Sequence, residues 1–216
     1  MIPGGITGGG PIMNVFVLCT GRSGSASFAK ACKHFTNYSA AHESRSRVFG
    51  PGRFDYPPNH IEVDNHLAFQ LGYLHQRYGN DACYVHLVRD RERVAKSFVR
   101  LIDSPVSNVR GFATGVLMRP ELTDEELWAA SLDYVDVVSA NIKAFLRDKT
   151  RTHFVDIDDP VEAFLAFAED IGAEGDLDAA VNTLTTPSNL KLNTAYAQKK
   201  NLLQYIPKAL KRIAGG

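Results

Sequence analysis

The run Asn14-Val-Phe-Val-Leu-Cys-Thr20 is apolar at nearly every position, and Gly21-Arg-Ser-Gly-Ser-Ala-Ser27 follows it directly. An apolar stretch without alternation suits a strand buried on both faces, as in a parallel sheet. The segment after the turn places Phe28, Ala31, Cys32 and Phe35 on one helical stripe, so residues 25–36 read as a helix. A buried strand, a Gly/Ser turn and an amphipathic helix in immediate succession point to an α/β protein.

The remaining chain keeps the same alternation. Residues 37–41 read as a short second strand, 60–65 (HIEVDN) as a third followed by a helix over 66–78, and 82–88 (ACYVHLV) as a fourth followed by a helix over 91–101. Thr123-Asp-Glu-Glu126 has the form of a capping box, and it opens a helix that runs to about residue 148. THFVDI (152–157) reads as a late strand. Asp159-Pro160 reads as a helix start, with Asp as cap and Pro first. Residues 176–213 read as mostly helical around a polar break at 186–194, and 43–59 and 103–121 as long loops. This order predicts a three-layer α/β/α fold with a central, mainly parallel sheet. Its ligand site belongs at the carboxyl ends of the strands.

The chain has 216 residues, 44% of them hydrophobic, enough for one domain, expected over 13–213. Residues 1–12, rich in Gly and Pro, are expected to form a disordered leader, with neither the basic nor the apolar region of a signal peptide. Lys+Arg and Asp+Glu both number 24, so there is no global basic field for a nucleic acid polymer or an anionic membrane. No apolar run approaches the roughly 18 residues of a membrane span. Cys19 and Cys83 lie in apolar strands and, with Cys32, read as thiols of a reducing compartment, so a cytoplasmic location is expected. No Cys or His pair has a zinc-ligand spacing, so no metal is expected. His75 fits a helix surface, His86 a strand core, and Trp128 packing on the long helix.

Chemistry concentrates in two segments. A Gly-containing turn at a helix N-terminus presents unpaired backbone N–H groups and the positive end of the helix dipole to an anion. Gly21, Ser23, Gly24 and Ala26 supply such a backbone; Arg22 adds a charge, and Ser25 and Ser27 add hydroxyls. An ordinary strand–helix connection is also built from Gly and Ser. The turn lacks the Gly-Lys-Ser/Thr ending of a nucleoside-triphosphate loop, and G-x-G-x-x-G does not fit it. In the second segment, Arg89 ends the 82–88 strand and Ser97 lies two helical turns further on, so the pair can grip one phosphate. Arg91, Arg93 and Lys96 also fit a solvated basic helix start.

Together, TGRSGSASF and YVHLVRDRERVAKSF resemble the two nucleotide motifs of the sulfotransferases that use 3′-phosphoadenosine-5′-phosphosulfate (PAPS), closer to the carbohydrate and bacterial branch. The resemblance implies a P-loop-like sulfotransferase fold, with PAPS as donor and no metal. It implies that Gly21, Arg22, Ser23, Gly24, Ser25, Ala26 and Ser27 surround the 5′-phosphosulfate and that Arg89 and Ser97 hold the 3′-phosphate. The family commonly has Ser or Thr where this chain has Ala26. Lys199 and Lys200 loosely resemble the family's basic segment over the nucleotide, and a surface helix end accounts for them equally.

Transfer to an acceptor hydroxyl or amine needs a base. Glu43 resembles the carboxylate base of carbohydrate sulfotransferases, and the adjacent His42 is the alternative; neighbours leaving a strand point apart, so one of the two is expected to face the donor. Arg22 would stabilise charge on the sulfonate. Arg45, Arg53 and Asp64 are candidates for the acceptor, a carbohydrate or small molecule, although Asp64 also suits a cap for the helix at 66. Two other readings stay open: a P-loop-like small-molecule kinase and a non-catalytic nucleotide-binding module.

Overall fold

The computed structural model describes residues 13–104 and 106–186. Five strands, β1 (Asn14–Leu18), β2 (Ser39–His42), β3 (His60–Val63), β4 (Ala82–Val88) and β5 (Thr152–Asp156), form one sheet in the order β2-β3-β1-β4-β5. Every pairing is parallel. The helices are α1 (Ser25–Cys32), α2 (Leu71–Tyr78), α3 (Arg91–Val99), α4 (Asn108–Gly115), α5 (Asp124–Leu146), α6 (Val161–Asp170) and α7 (Leu177–Thr185). The expected three-layer α/β/α architecture is observed, with the sheet parallel throughout.

β1 is the centre of this arrangement because both its faces are covered. Val15, Val17 and Cys19 pack into one core with Phe28, Ala31 and Cys32 of α1, Phe164 and Phe167 of α6, and Leu184 of α7. Phe16 and Leu18 pack into the other with Leu74 of α2, Val94 and Phe98 of α3, Phe112 of α4, and Tyr134, Val138 and Ile142 of α5. Successive strand residues point to opposite faces, so a strand between two helical layers must be apolar at every position. Phe16 and Phe28 are fully buried, one in each layer. Each such side chain contributes about 1.5–3 kcal/mol.

The element boundaries differ from expectation where a tertiary contact intervenes. α1 stops at Cys32 because the chain beyond it pairs elsewhere: Thr36 N–H donates to the Glu174 carbonyl and Phe35 bridges Gly175. That approach requires glycine, since a Cβ on Gly175 would lie 2.2 Å from the His34 carbonyl oxygen. The helix expected at 66–78 is a 3-10 turn, Asn65–Phe69, followed by α2, with the non-helical Gln70 (φ −131°) between them. α4 lies inside the expected loop 103–121, started by Ser107, whose hydroxyl accepts from Arg110 N–H. Gly111 and Gly115 had weakened its helical signal. The capping box at Thr123 and Glu126 is present. Pro160, not Asp159, occupies the cap position of α6, and no side chain caps it.

All three cysteines are buried and free, His86 is buried in β4, and Trp128 is partly exposed on α5. Among the described residues, no helix is long and apolar enough to cross a membrane. The expectations for residues 1–12 and for the chain beyond Thr186, including Lys199 and Lys200, lie outside the described residues.

Candidate functional site: a left-handed turn at the carboxyl end of β1

After β1 the backbone turns sharply through Gly21 (φ 81°), Arg22 (φ 60°) and Gly24 (φ 82°) before α1 begins. A turn with left-handed residues can aim successive backbone N–H groups to one side, an arrangement able to take an anion. The N-terminus of α1 adds the N–H groups of its first turn, among them that of Ala26, where a backbone donor needs no hydroxyl. The two glycines are required sterically as well. A Cβ on Gly24 would lie 2.4 Å from Ile157 Cγ1, and one on Gly21 would lie 2.9 Å from Asn65 Nδ2.

The base of the turn is fixed by buried groups. The Tyr134 hydroxyl of α5 donates to the Thr20 carbonyl at 3.0 Å and itself receives the Asn108 side-chain amide at 3.2 Å. Ser23 is fully buried, with its side chain beside the Cys19 thiol, and burial pushes that thiol up to about 11. Cys19 is therefore a packed neutral thiol, not a nucleophile. The Ser27 hydroxyl side lies in the buried first turn of α1.

The second segment reaches this turn. Arg22 Nε donates to Ser97 Oγ at 2.9 Å, joining residues 75 apart in the chain. Arg89 stands at the end of β4, next to β1 in the sheet, with Nε 3.5 Å from Asp158 Oδ1. Burial is the first cause lowering the Arg22 pKa and the nearby charge of Arg89 the second, with Glu43 opposing them. Arg22 and Arg89 thus bring two positive charges near each other, with Asp158 beside Arg89 and Glu43 within electrostatic reach of Arg22.

The third wall comes from β2 and β3. Ser25 Oγ and His42 Nε2 are 3.0 Å apart, and His42 Nε2 lies 3.8 Å from Glu43 Oε1. The expectation that only one of these neighbours faces the turn is thus corrected. Glu43 has left-handed backbone (φ 51°), which breaks the strand alternation and brings its carboxylate to the same side as His42. Glu43 N–H is anchored on the Val63 carbonyl, and Ser44 N–H on the buried Glu62 carboxylate at 2.7 Å.

His66, which the sequence places just past the third strand beside Asp64 with no role assigned to it, is a further member. Its Nδ1 lies 2.8 Å from Asp64 Oδ1, and this hydrogen bond is the main cause raising its pKa; burial opposes the shift, and Glu43 is close enough to add to it. The only signal in the sequence was the His-after-Asp spacing past β3, and the Asp64–His66 pairing depends on the 3-10 turn.

Arg53 and Asp64 form a buried ion pair at 3.2 Å, and Asp64 also accepts from His66 N–H at 2.7 Å, which makes it a cap as well. Arg53 Nη1 also donates to the Arg45 and Ser46 carbonyls. Both side chains therefore hold the 43–59 loop against β3, and contact with an acceptor would require that pair to open. Arg45 donates to the Gly52 carbonyl and stands over the Tyr56 ring. Asp64→Ala strands a buried guanidinium, so chemical denaturation is expected to show a loss of about 3–5 kcal/mol, whereas a surface acceptor contact would leave stability within about 0.5 kcal/mol.

No protein-family model matches the chain, and no curated protein matches it. Among solved structures, the chain is similar in fold to a sulfotransferase domain from the curacin biosynthetic pathway, with a TM-score of 0.57 at 12% identity, covering 78% of this chain and 76% of that one.

Proposed function

We propose that the protein is a sulfotransferase that takes the sulfuryl group from PAPS and delivers it to a hydroxyl or amine of a carbohydrate or other small acceptor. The observation that carries this reading is the Arg22–Ser97 hydrogen bond. It brings the two sequence segments that resemble the donor motifs into one site, at the end of the sheet where such folds take ligands. The fold similarity to a sulfotransferase domain supports it.

In this reading the backbone N–H groups of the turn and of the α1 N-terminus receive the 5′-phosphosulfate. Arg89 and Ser97 receive the 3′-phosphate, and Arg22 lies between the two anions. The acceptor oxygen attacks sulfur as the bond from sulfur to the bridging phosphate oxygen breaks. The acceptor proton passes to the base, and adenosine 3′,5′-bisphosphate leaves. Arg22 and the N–H cluster stabilise the charge that develops on the leaving oxygen. Glu43 is the proposed base; its left-handed backbone sets its carboxylate beside His42 and within electrostatic reach of Arg22, which supports the assignment. The raised pKa of His66 and its hold on Asp64 favour a second assignment, in which His66 takes the proton.

Calorimetric titration with adenosine 3′,5′-bisphosphate tests the donor. Micromolar or tighter binding is expected, weakened by roughly tenfold or more in Arg89→Ala for the loss of a charge-assisted contact, with ADP much weaker. Absence of binding by the unaltered chain, or equal affinity for ADP, contradicts the reading.

The pH dependence of PAPS turnover, followed as release of adenosine 3′,5′-bisphosphate with water or hydroxyl acceptors, separates the two bases. His66 is a base only when neutral, and its pKa lies above the ordinary 6.5, so turnover through His66 declines as pH falls through that raised value. Turnover through Glu43 drops about 10²–10⁴-fold in Glu43→Gln, with His66→Gln far less affected.

A further inference from the structure

At the amino end of the same sheet, away from the turn after β1, three potential metal ligands converge from separate elements. Cys83 is the second residue of β4, His153 the second of β5, and Asp170 the last of α6. Their donor atoms all lie within 4.8 Å of one another, and His153 Nε2 is 3.0 Å from Asp170 Oδ2. In a tetrahedral site with bonds of about 2.0–2.3 Å, neighbouring donors stand about 3.3–3.7 Å apart, so a small side-chain rotation closes the group on an ion.

The environment is ordered from inside to outside. The Cys83 thiol is fully buried, His153 has 18% of its side chain exposed and Asp170 has 40%. An ion therefore enters past the carboxylate and meets the sulfur last. The His153 ring packs edge-on against Phe167, which holds its plane, and two of the three ligands stand on adjacent paired strands. Arg151 is the neighbouring cation, and its Nη1 donates to Met13 Sδ at 3.1 Å. A thiolate and a carboxylate neutralise a divalent charge, and one sulfur, one imidazole nitrogen and one carboxylate oxygen suit Zn²⁺ or Co²⁺ over Mg²⁺ or Ca²⁺.

We propose that Cys83, His153 and Asp170 form a Zn²⁺-class site that ties β4, β5 and the end of α6 together and leaves a fourth position for water. The expectation of no metal rested on linear spacing, and this group is assembled only by the parallel crossover that sets β5 beside β4 and returns α6 to the amino edge. The site lies outside the donor-binding residues, so its test does not depend on the proposed activity.

The test is titration of the chelator-treated full-length protein with Co²⁺, watched for the near-ultraviolet thiolate-to-cobalt charge-transfer band. One equivalent of Co²⁺, a band at saturation and displacement by Zn²⁺ are expected. Cys83→Ser should abolish the band, and Asp170→Asn should weaken binding by roughly tenfold or more. The exposed position of Asp170 lets that variant stand if Cys83→Ser fails to fold, which near-ultraviolet circular dichroism reports. No band with the unaltered chain, a band that survives in Cys83→Ser, or unchanged affinity in Asp170→Asn overturns the proposal.

Discussion

Three left-handed residues, Gly21, Arg22 and Gly24, set the position of everything else at the polar end of the sheet. They turn the chain from β1, which ends at Leu18, into α1, which begins at Ser25. The turn holds because its surroundings leave it no alternative. Tyr134 grips the Thr20 carbonyl from one layer, and Ile157 closes on Gly24, where any Cβ would clash. Left-handed backbone at a non-glycine residue costs about 1–3 kcal/mol. Arg22 bears that strain with its side chain aligned on Ser97.

The same logic governs the opposite wall. Glu43 is also left-handed; its own N–H is tied to the Val63 carbonyl and that of its neighbour Ser44 to the Glu62 carboxylate of β3. Glu62 is fully buried and is met by His60 at 3.0 Å and by the Ser44 hydroxyl at 2.6 Å. A buried carboxylate satisfied on this scale makes the start of the 43–59 loop rigid. Strain at two positions, Arg22 and Glu43, is thus held by buried polar contacts around it. Preorganised dipoles and charges of this kind act without reorganisation when charge develops on a bound anion.

What the sequence revealed followed from local rules. β1, the turn and β4 were legible because a doubly covered strand must be apolar throughout and because Gly and Ser mark the turn. The Thr123–Glu126 capping box and the Asp64 cap were legible because capping is local. α4 was hidden by its two glycines, and the early end of α1 by a pairing with Gly175 distant in sequence. His66 and the shared orientation of His42 and Glu43 depend on backbone angles that residue type does not fix. The Cys83, His153 and Asp170 group depends on strand order, which no spacing rule contains.

The central claim is that the turn after β1 and the Arg89–Ser97 segment form one nucleotide site. A crystal structure of the chain with adenosine 3′,5′-bisphosphate tests it most directly. The account predicts the 5′-phosphate within about 3 Å of the N–H groups of residues 22–26 and the 3′-phosphate at hydrogen-bond distance from Arg89 and Ser97. A nucleotide bound elsewhere, or one whose 3′-phosphate points to solvent away from Arg89 and Ser97, would contradict it.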